Sequence, residues 1–432
     1  MRTLIQNVQI LTMKKGEKSF HGELLIENDR ISAIGTNLPK TEAKANKIID
    51  GKGMLAMPGL INAHQHTPMS LLKGFSDDCK LMEWLEHKML PAEARMTPED
   101  IYWGAKLAMA EMIKSGTTAF ADMYVHMNEI AAAVQETGMR ASLTRGLVFM
   151  QNDGGKRLTE ALDLIDRWHG QADGRITTMF GPHAPYTCPP EPLAEIIKLA
   201  SQKNLPIHIH LAETVEEVAK IKTKYNCSPT AYLHNLGLFT EAHTLLAHGV
   251  HLTHGDIQLL RGMKGGVAHN PVSNMKLGCG IAPVAALIDT SVTVGLGTDG
   301  SGSASTVDMF EGIKAAAWMQ KMEAGDPSVF PAHQVLEMAT AESAKLLRLD
   351  HETGTLEAGK KADLILVDMN KPHLQPVHHV ESLLAYAVNG SDVDTTIVNG
   401  KLLMQGRKLL TIDEEELLHQ AAIRARRIVD GI

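Results

Sequence analysis

Leu60-Ile61-Asn62-Ala63-His64-Gln65-His66 is a short apolar run that closes on two histidines. The same plan returns in Pro206-Ile207-His208-Ile209-His210-Leu211-Ala212-Glu213 and in Val292 to Gly300, which ends Gly297-Thr298-Asp299-Gly300. A run that is apolar along its length and polar only at its exit reads as a parallel strand buried on both faces. Working outward, five more such runs are found: Thr117 to Met123, Arg140 to Gly146, Ile176 to His183, Thr244 to Val250 and Gly265 to Pro271. Helical patterns separate them, for example Arg157 to Trp168, with apolar residues at helical spacing. Eight βα units in succession predict an α/β fold, a (β/α)8 TIM barrel over residues 58–349, rather than an open doubly wound sheet.

Outside the barrel, the two chain ends resemble each other. Leu4 to Leu11, Glu23 to Glu27, Arg30 to Gly35, Lys47 to Asp50 and Met54 to Met57 read as strands, with Asn28-Asp29 as a turn. Ala362 to Val367 and Thr395 to Lys401 read the same way. Residues 1–57 and 350–432 are therefore expected to meet in one small β-sandwich.

The chain has 432 residues, a formal net charge of −8 and no basic tract, which gives nucleic acid nothing to bind. An anionic substrate group would need local cations. The cysteines (Cys79, Cys188, Cys227, Cys279) are scattered and form no C-x-x-C pair, so neither a disulfide framework nor a thiolate zinc site is expected. The N-terminal residues lack a leader-like apolar stretch, and no run of about 18 apolar residues exists for a membrane span. The expected location is cytoplasmic.

The 21 histidines are more informative. In a barrel the run exits gather on one face, where barrel enzymes carry their chemistry. His64 and His66 are two apart on a strand and point to one side, which lets one strand give two ligands to one metal. Alone, an H-x-H is equally two core histidines. Joined to a third histidine and to Asp299, it becomes a metal site suited to zinc, with iron as an alternative. By spacing either His208 or His210 could be the third ligand; His210, nearer the mouth, is favoured, with His208 as a hydrogen-bonding support. His269 reads as either support or core.

Met57-Pro58-Gly59-Leu60-Ile61-Asn62-Ala63-His64-Gln65-His66 resembles the opening metal motif of the amidohydrolase superfamily. His210-Leu211-Ala212-Glu213-Thr214, the segment His269 to Leu277 and Gly297-Thr298-Asp299-Gly300 resemble the branch that contains the 5′-methylthioadenosine/S-adenosylhomocysteine deaminases. Gly354 to Leu364 is similar to the segment that re-enters that superfamily's β-sandwich. The resemblance implies His64, His66, His210 and Asp299 as ligands of one divalent metal, with zinc first and iron or manganese as alternatives. The fourth run contains no lysine, whereas binuclear relatives carry a carboxylated one there. The resemblance also implies that His183 and Glu93, the latter in the long loop after the first strand, hold the nucleoside. Arg145 and Arg157 would grip an amino-acid tail, as a guanidinium fork pairs with a carboxylate. Trp84 reads as an apolar wall of the pocket or as core. One departure lies in residues 301–306, Ser301-Gly302-Ser303-Ala304-Ser305-Thr306, where many relatives carry asparagines.

The chemistry expected is hydrolytic deamination of an adenine nucleoside. The metal lowers the pKa of water toward ~7. Asp299 takes the proton of the attacking water, His248 orients that water, and Glu213 protonates purine N1 so that C6 becomes electrophilic. Rival readings are a guanine, pterin or triazine hydrolase of the same branch, and a barrel that binds without catalysis. The expected partner is a small-molecule nucleoside, with neither nucleic acid nor membrane; relatives often self-associate into homo-oligomers.

Overall fold

The computed structural model describes residues 2–38, 45–79 and 81–432. Residue 1 and residues 39–44, which the sequence assigns to the end module, lie outside the described residues, as does residue 80. The chain opens with β1 (Arg2–Ile10), β2 (Phe20–Glu27), β3 (Arg30–Gly35), β4 (Lys47–Asp50) and β5 (Met54–Pro58). The barrel follows as β6 (Leu60–Gln65), β7 (Thr117–Tyr124), β8 (Arg140–Leu147), β9 (Ile176–Pro182), β10 (Ile207–Leu211), β11 (Thr244–His248), β12 (Gly265–His269) and β13 (Thr293–Leu296). It closes with β14 (Leu364–Asp368), β15 (Val393–Val398), β16 (Lys401–Gln405) and β17 (Lys408–Leu409).

Strands β6 to β13 pair in chain order, all parallel. The seam between β13 and β6 is stitched just past the strand ends: Asp299 N–H donates to His64 O at 2.9 Å, and Thr298 N–H donates to Asn62 Oδ1 at 3.0 Å. The seam therefore brings two polar run exits together. Small and aliphatic side chains (Ile61, Ala63, Ala119, Ala121, Leu245, Ala268) share a cluster with Leu346 and Leu347 from the helix Ala341–Leu346 and its exit. Helices begin where the sequence places capping residues. Thr97 accepts from Asp100 N–H and Asp100 accepts from Thr97 N–H, with Pro98 in the first turn, and the helix Pro98–Lys114 follows.

The chain ends build one nine-stranded mixed sheet, ordered β17-β16-β15-β14-β5-β1-β2-β3 with β4 beside β1. It curls until Ile31 N–H donates to Lys360 O and Ala362 N–H donates to Asp29 O, each at 2.9 Å. Ile5, Ile10, Leu24, Ile31, Leu364 and Leu366 fill the space between its halves. The expected single strand over Thr395 to Lys401 is instead a hairpin. Asn399 and Gly400 take φ of 52° and 73°, the left-handed pair that a two-residue turn requires, and β16 pairs back on β15. The stretch after β6, expected as a loop, is largely helical: Thr67–Leu72, Leu81–Trp84, Leu85–Met89 and Leu90–Glu93. Its apolar residues Met69, Leu71, Leu72 and Met89 are buried, and that burial holds the turns in place.

Arg140, at the entry of β8, ties the barrel to the sheet. Its Nε donates to Asp363 Oδ2 at 2.7 Å and its Nη2 to Asp363 Oδ1 and Asn399 Oδ1, both at 3.3 Å. The two charged side chains are 1% and 0% exposed. Removing one partner leaves a buried charge uncompensated, so Arg140→Met should cost about 3–5 kcal/mol in denaturant unfolding. A cost near zero would mean that Asp363 finds another counter-ion.

Candidate active site

The exits of β6, β10, β11 and β13 meet at one end of the barrel. Ala212, His248 and Asp299 all adopt left-handed backbone, with φ of 49°, 76° and 63°. Non-glycine residues hold such angles at a cost of roughly 1–3 kcal/mol each, and they persist where the surroundings over-determine them. Gly297 lets the β13 exit pass close to β6: a Cβ there would lie 2.3 Å from Asn270 Oδ1 and 2.9 Å from His64 Cβ.

Imidazole nitrogens and one carboxylate converge at this point. His64 Nε2 and His66 Nε2 lie 3.4 and 3.2 Å from Asp299 Oδ1, and His210 Nε2 lies 3.4 Å from His66 Nε2. Potential ligand atoms of His64, His66 and Asp299 all lie within 4.8 Å of one another, as do those of His64, His210 and His248. The opposite ring nitrogens are held in place. His66 Nδ1 is 2.6 Å from Met123 O and His210 Nδ1 is 2.7 Å from His183 O. A carbonyl only accepts, so each Nδ1 carries a proton and each Nε2 faces the centre. His64 Nδ1 meets His208 Nε2 at 2.8 Å, which places His208 behind His64.

This donor set fits a divalent cation. His64 Nε2 is buried and, among the described residues, has no hydrogen-bond partner. Burial drives the His64 ring down to about 3, so it stays neutral, as a ligand must. Burial would lower His66 as well, but the Asp299 carboxylate overrides it and lifts the ring to about 9. A cation in place of that proton would satisfy the same carboxylate. Burial opposes ionisation of Asp299 too, yet its contacts with His64 and His66 keep it well below the ordinary carboxylate range. Nitrogen and oxygen donors in this ratio suit zinc.

Behind the centre, Asp299 Oδ2 accepts from Ser273 Oγ at 2.7 Å and Ser303 Oγ at 2.6 Å, which leaves Oδ1 to face the histidines. His248 Nδ1 lies 2.9 Å from Asn274 Oδ1, and its Nε2 is 3.9 Å from Glu213 Oε2. Burial holds the Glu213 carboxyl above its ordinary value, opposed by His248. His269, for which the sequence allows either support or core, is buried, and among the described residues neither of its ring nitrogens has a hydrogen-bond partner.

A cavity of about 620 Å³ opens over the centre, lined by His66, His210, His248 and Asp299 at its base. Glu93, Arg145, Arg157, His183, Glu213 and Trp84 all line it. Glu93 sits at the end of a helical turn rather than in a loop, and Tyr124 OH donates to its Oε1 at 2.5 Å. His183 Nδ1 lies 3.1 Å from Thr187 Oγ1. Trp84 both lines the cavity and belongs to the apolar core. Each arginine already has a carboxylate beside it: Arg145 Nε donates to Glu160 Oε2 at 2.8 Å, and Arg157 Nη1 donates to Asp153 Oδ2 at 3.1 Å.

Sequence reasoning missed Ser273, Ser303, Asn274 and Tyr124. Ser273 and Asn274 had a usable signal. They follow the β12 exit in the helix Pro271–Lys276, and buried polar residues just past a barrel strand face the mouth. Among the described residues no helix is long and apolar enough to cross a membrane, and all four cysteines are free thiols.

Comparison with known proteins agrees with this geometry. Residues 55–403 match the model of the amidohydrolase family. A 5-methylthioadenosine/S-adenosylhomocysteine deaminase of Desulforudis audaxviator is 47% identical over all of both chains. A 5′-deoxyadenosine deaminase of Methanosarcina acetivorans is 46% identical over 99% of this chain and 98% of its own. Among solved structures, a zinc-bound adenosine deaminase from Xanthomonas campestris superposes with a TM-score of 0.94 at 33% identity, covering 99% of this chain and 98% of its own. With a family match across most of its length and relatives this similar from end to end, the chain belongs to the amidohydrolase family.

Proposed function

We propose that the protein is a cytoplasmic hydrolytic deaminase of adenine nucleosides, acting on 5′-methylthioadenosine, S-adenosylhomocysteine or both and releasing ammonia. The observation that carries this reading is Glu213: a half-buried carboxyl whose pKa is raised, 3.9 Å from His248 and on the wall of a cavity floored by His66, His210 and Asp299. The full-length similarity to deaminases of 5-methylthioadenosine/S-adenosylhomocysteine and of 5′-deoxyadenosine supports the substrate class. The free thiols fit a reducing compartment.

His64, His66, His210 and Asp299 would hold one divalent ion, zinc by its donor chemistry. When bound, such an ion supplies Lewis-acid activation of water at neutral pH. The protein's residues do the rest. Glu213 gives its proton to purine N1, so charge does not build on the ring as C6 is attacked. His248, its Nε2 turned toward Glu213, orients the attacking water. Asp299, steadied by two serine hydroxyls, carries one proton of the water to the departing amine; as the C6–N bond breaks and the C6 carbonyl forms, the water's second proton returns to Glu213. Glu93 holds the ribose, His183 contacts the nucleoside, and Trp84 supplies an apolar wall.

Arg145 and Arg157 would grip the carboxylate of an amino-acid tail. Each spends part of its guanidinium on Glu160 or Asp153, and Nη2 of each makes no hydrogen bond among the described residues. The test is a steady-state comparison of S-adenosylhomocysteine, methylthioadenosine, adenosine and 5′-deoxyadenosine by ammonia release. Arg145→Met and Arg157→Met should each lower kcat/KM for S-adenosylhomocysteine by roughly 10- to 100-fold, the worth of a charged hydrogen bond, and leave the three uncharged tails nearly unchanged. Equal losses across all four substrates would remove the tail-binding role. Ammonia release from guanine with none from any adenosine would overturn the proposed substrate class.

A further inference from the structure

Glu217 spends its carboxylate on the strand exit that carries the proposed proton donor. Thr214 caps the helix Val215–Tyr225, its hydroxyl accepting from Glu217 N–H at 3.1 Å. In the usual reciprocal cap, the glutamate at this position accepts from the capping residue's own N–H. Glu217 instead reaches past Thr214. Its Oε1 accepts from Ala212 N–H at 2.9 Å and its Oε2 from Glu213 N–H at 3.0 Å. The residue is 3% exposed, and both of its oxygens are used.

The peptide it holds needs holding. Ala212 sits at φ 49°, a backbone region that L-residues avoid. From the other side, Leu211 O accepts from Gly249 N–H and Ala212 O from His251 N–H, both at 2.9 Å. The exit of β10 is thus pinned by its carbonyls to the turn that carries His248, and by its N–H groups to Glu217. Released from Glu217, the Ala212–Glu213 peptide is free to relax toward right-handed backbone, which would re-aim the Glu213 side chain.

We propose that Glu217 is a positioning residue for the deamination: by holding the N–H groups of Ala212 and Glu213 it fixes the direction from which the Glu213 carboxyl enters the cavity. The inference rests on the reading of Glu213 as proton donor. A misplacement of about 1 Å at a reacting group costs on the order of 100-fold in rate. In the zinc-loaded enzyme, Glu217→Ala, which removes both acceptors, should therefore lower kcat on the order of 100-fold. Glu217→Gln keeps one acceptor oxygen and should lose roughly 10-fold. KM and zinc content should stay near wild type in both: Glu217 lines the cavity, but both its oxygens are taken by the N–H groups of Ala212 and Glu213 rather than turned to the substrate or the metal ligands. A purely structural role would lower the melting temperature or the yield of folded enzyme while kcat per zinc-loaded site held.

The pair also tests itself. Because Glu217 acts through Glu213, the double variant E213Q/E217Q should be no slower than E213Q alone. If E213Q is crippled and E217Q is not, or if the two losses multiply, the positioning role is overturned and the proton donor stands. If E213Q turns over normally, the proton-donor reading falls and takes this inference with it. Should E217A fail to fold, the graded loss in E217Q and its absence from the E213Q background separate positioning from structure equally well.

Discussion

Glu213→Gln should bind metal and nucleoside as the parent does and lose turnover by roughly 10²- to 10⁴-fold, the usual worth of a placed general acid. The two side chains are isosteric, so the wall of the cavity is preserved. What disappears is the proton for N1. Attack at C6 would then leave negative charge on the ring, and this penalty exists only in the transition state. The loss should therefore fall on kcat and kcat/KM alike, with KM little moved. Burial keeps the Glu213 carboxyl protonated further up the pH scale than a free glutamate, which suits a donor at neutral pH; His248 limits that rise. Steady-state ammonia release with metal analysis on the same sample decides the matter. Near-parental kcat at full metal content would remove Glu213 from the mechanism.

Much of the fold was legible because of one physical asymmetry. A parallel strand in a barrel is buried on both faces, so polar residues are expelled to its ends. That is why His64, His66, His210, Glu213 and Asp299 stand out in the sequence at the exits of otherwise apolar runs, and why the eight strands of the structure fall within a few residues of those runs. Spacing could not separate His208 from His210, since both face one side of β10; the difference lies in depth, with His208 against the back of His64. Tyr124, Glu217 and Ser303 were illegible for another reason. They reach the site from neighbouring elements, and only the packed structure brings Tyr124 to Glu93 or Ser303 to Asp299. The Asn399-Gly400 hairpin was a missed local signal. Its dipeptide is a strong turn marker, masked by the apolar residues that flank it closely.

Removing the metal should abolish activity altogether, and readdition of one equivalent of zinc per chain should restore it. The proposed ligands do not themselves replace what a divalent ion would supply: His64 and His210 are kept neutral by burial, and Asp299 and His66 are spent on each other. Ligand binding to the folded state alone stabilises it by about 4 kcal/mol at a thousandfold excess over Kd, so the chelated protein should also unfold at markedly lower denaturant. The arrangement grades the variants. Asp299→Ala removes a donor and strands His66, so it should not retain zinc through gel filtration. His208→Leu leaves all four donors but takes away the partner of His64 Nδ1, and the loss of such a supporting hydrogen bond weakens metal affinity by roughly 10- to 100-fold. Zinc content and unfolding midpoints measured on the same preparations separate these effects. Two tightly bound equivalents per chain would overturn the single-ion reading, and full activity in a chelated sample shown to be zinc-free would overturn the metal's role.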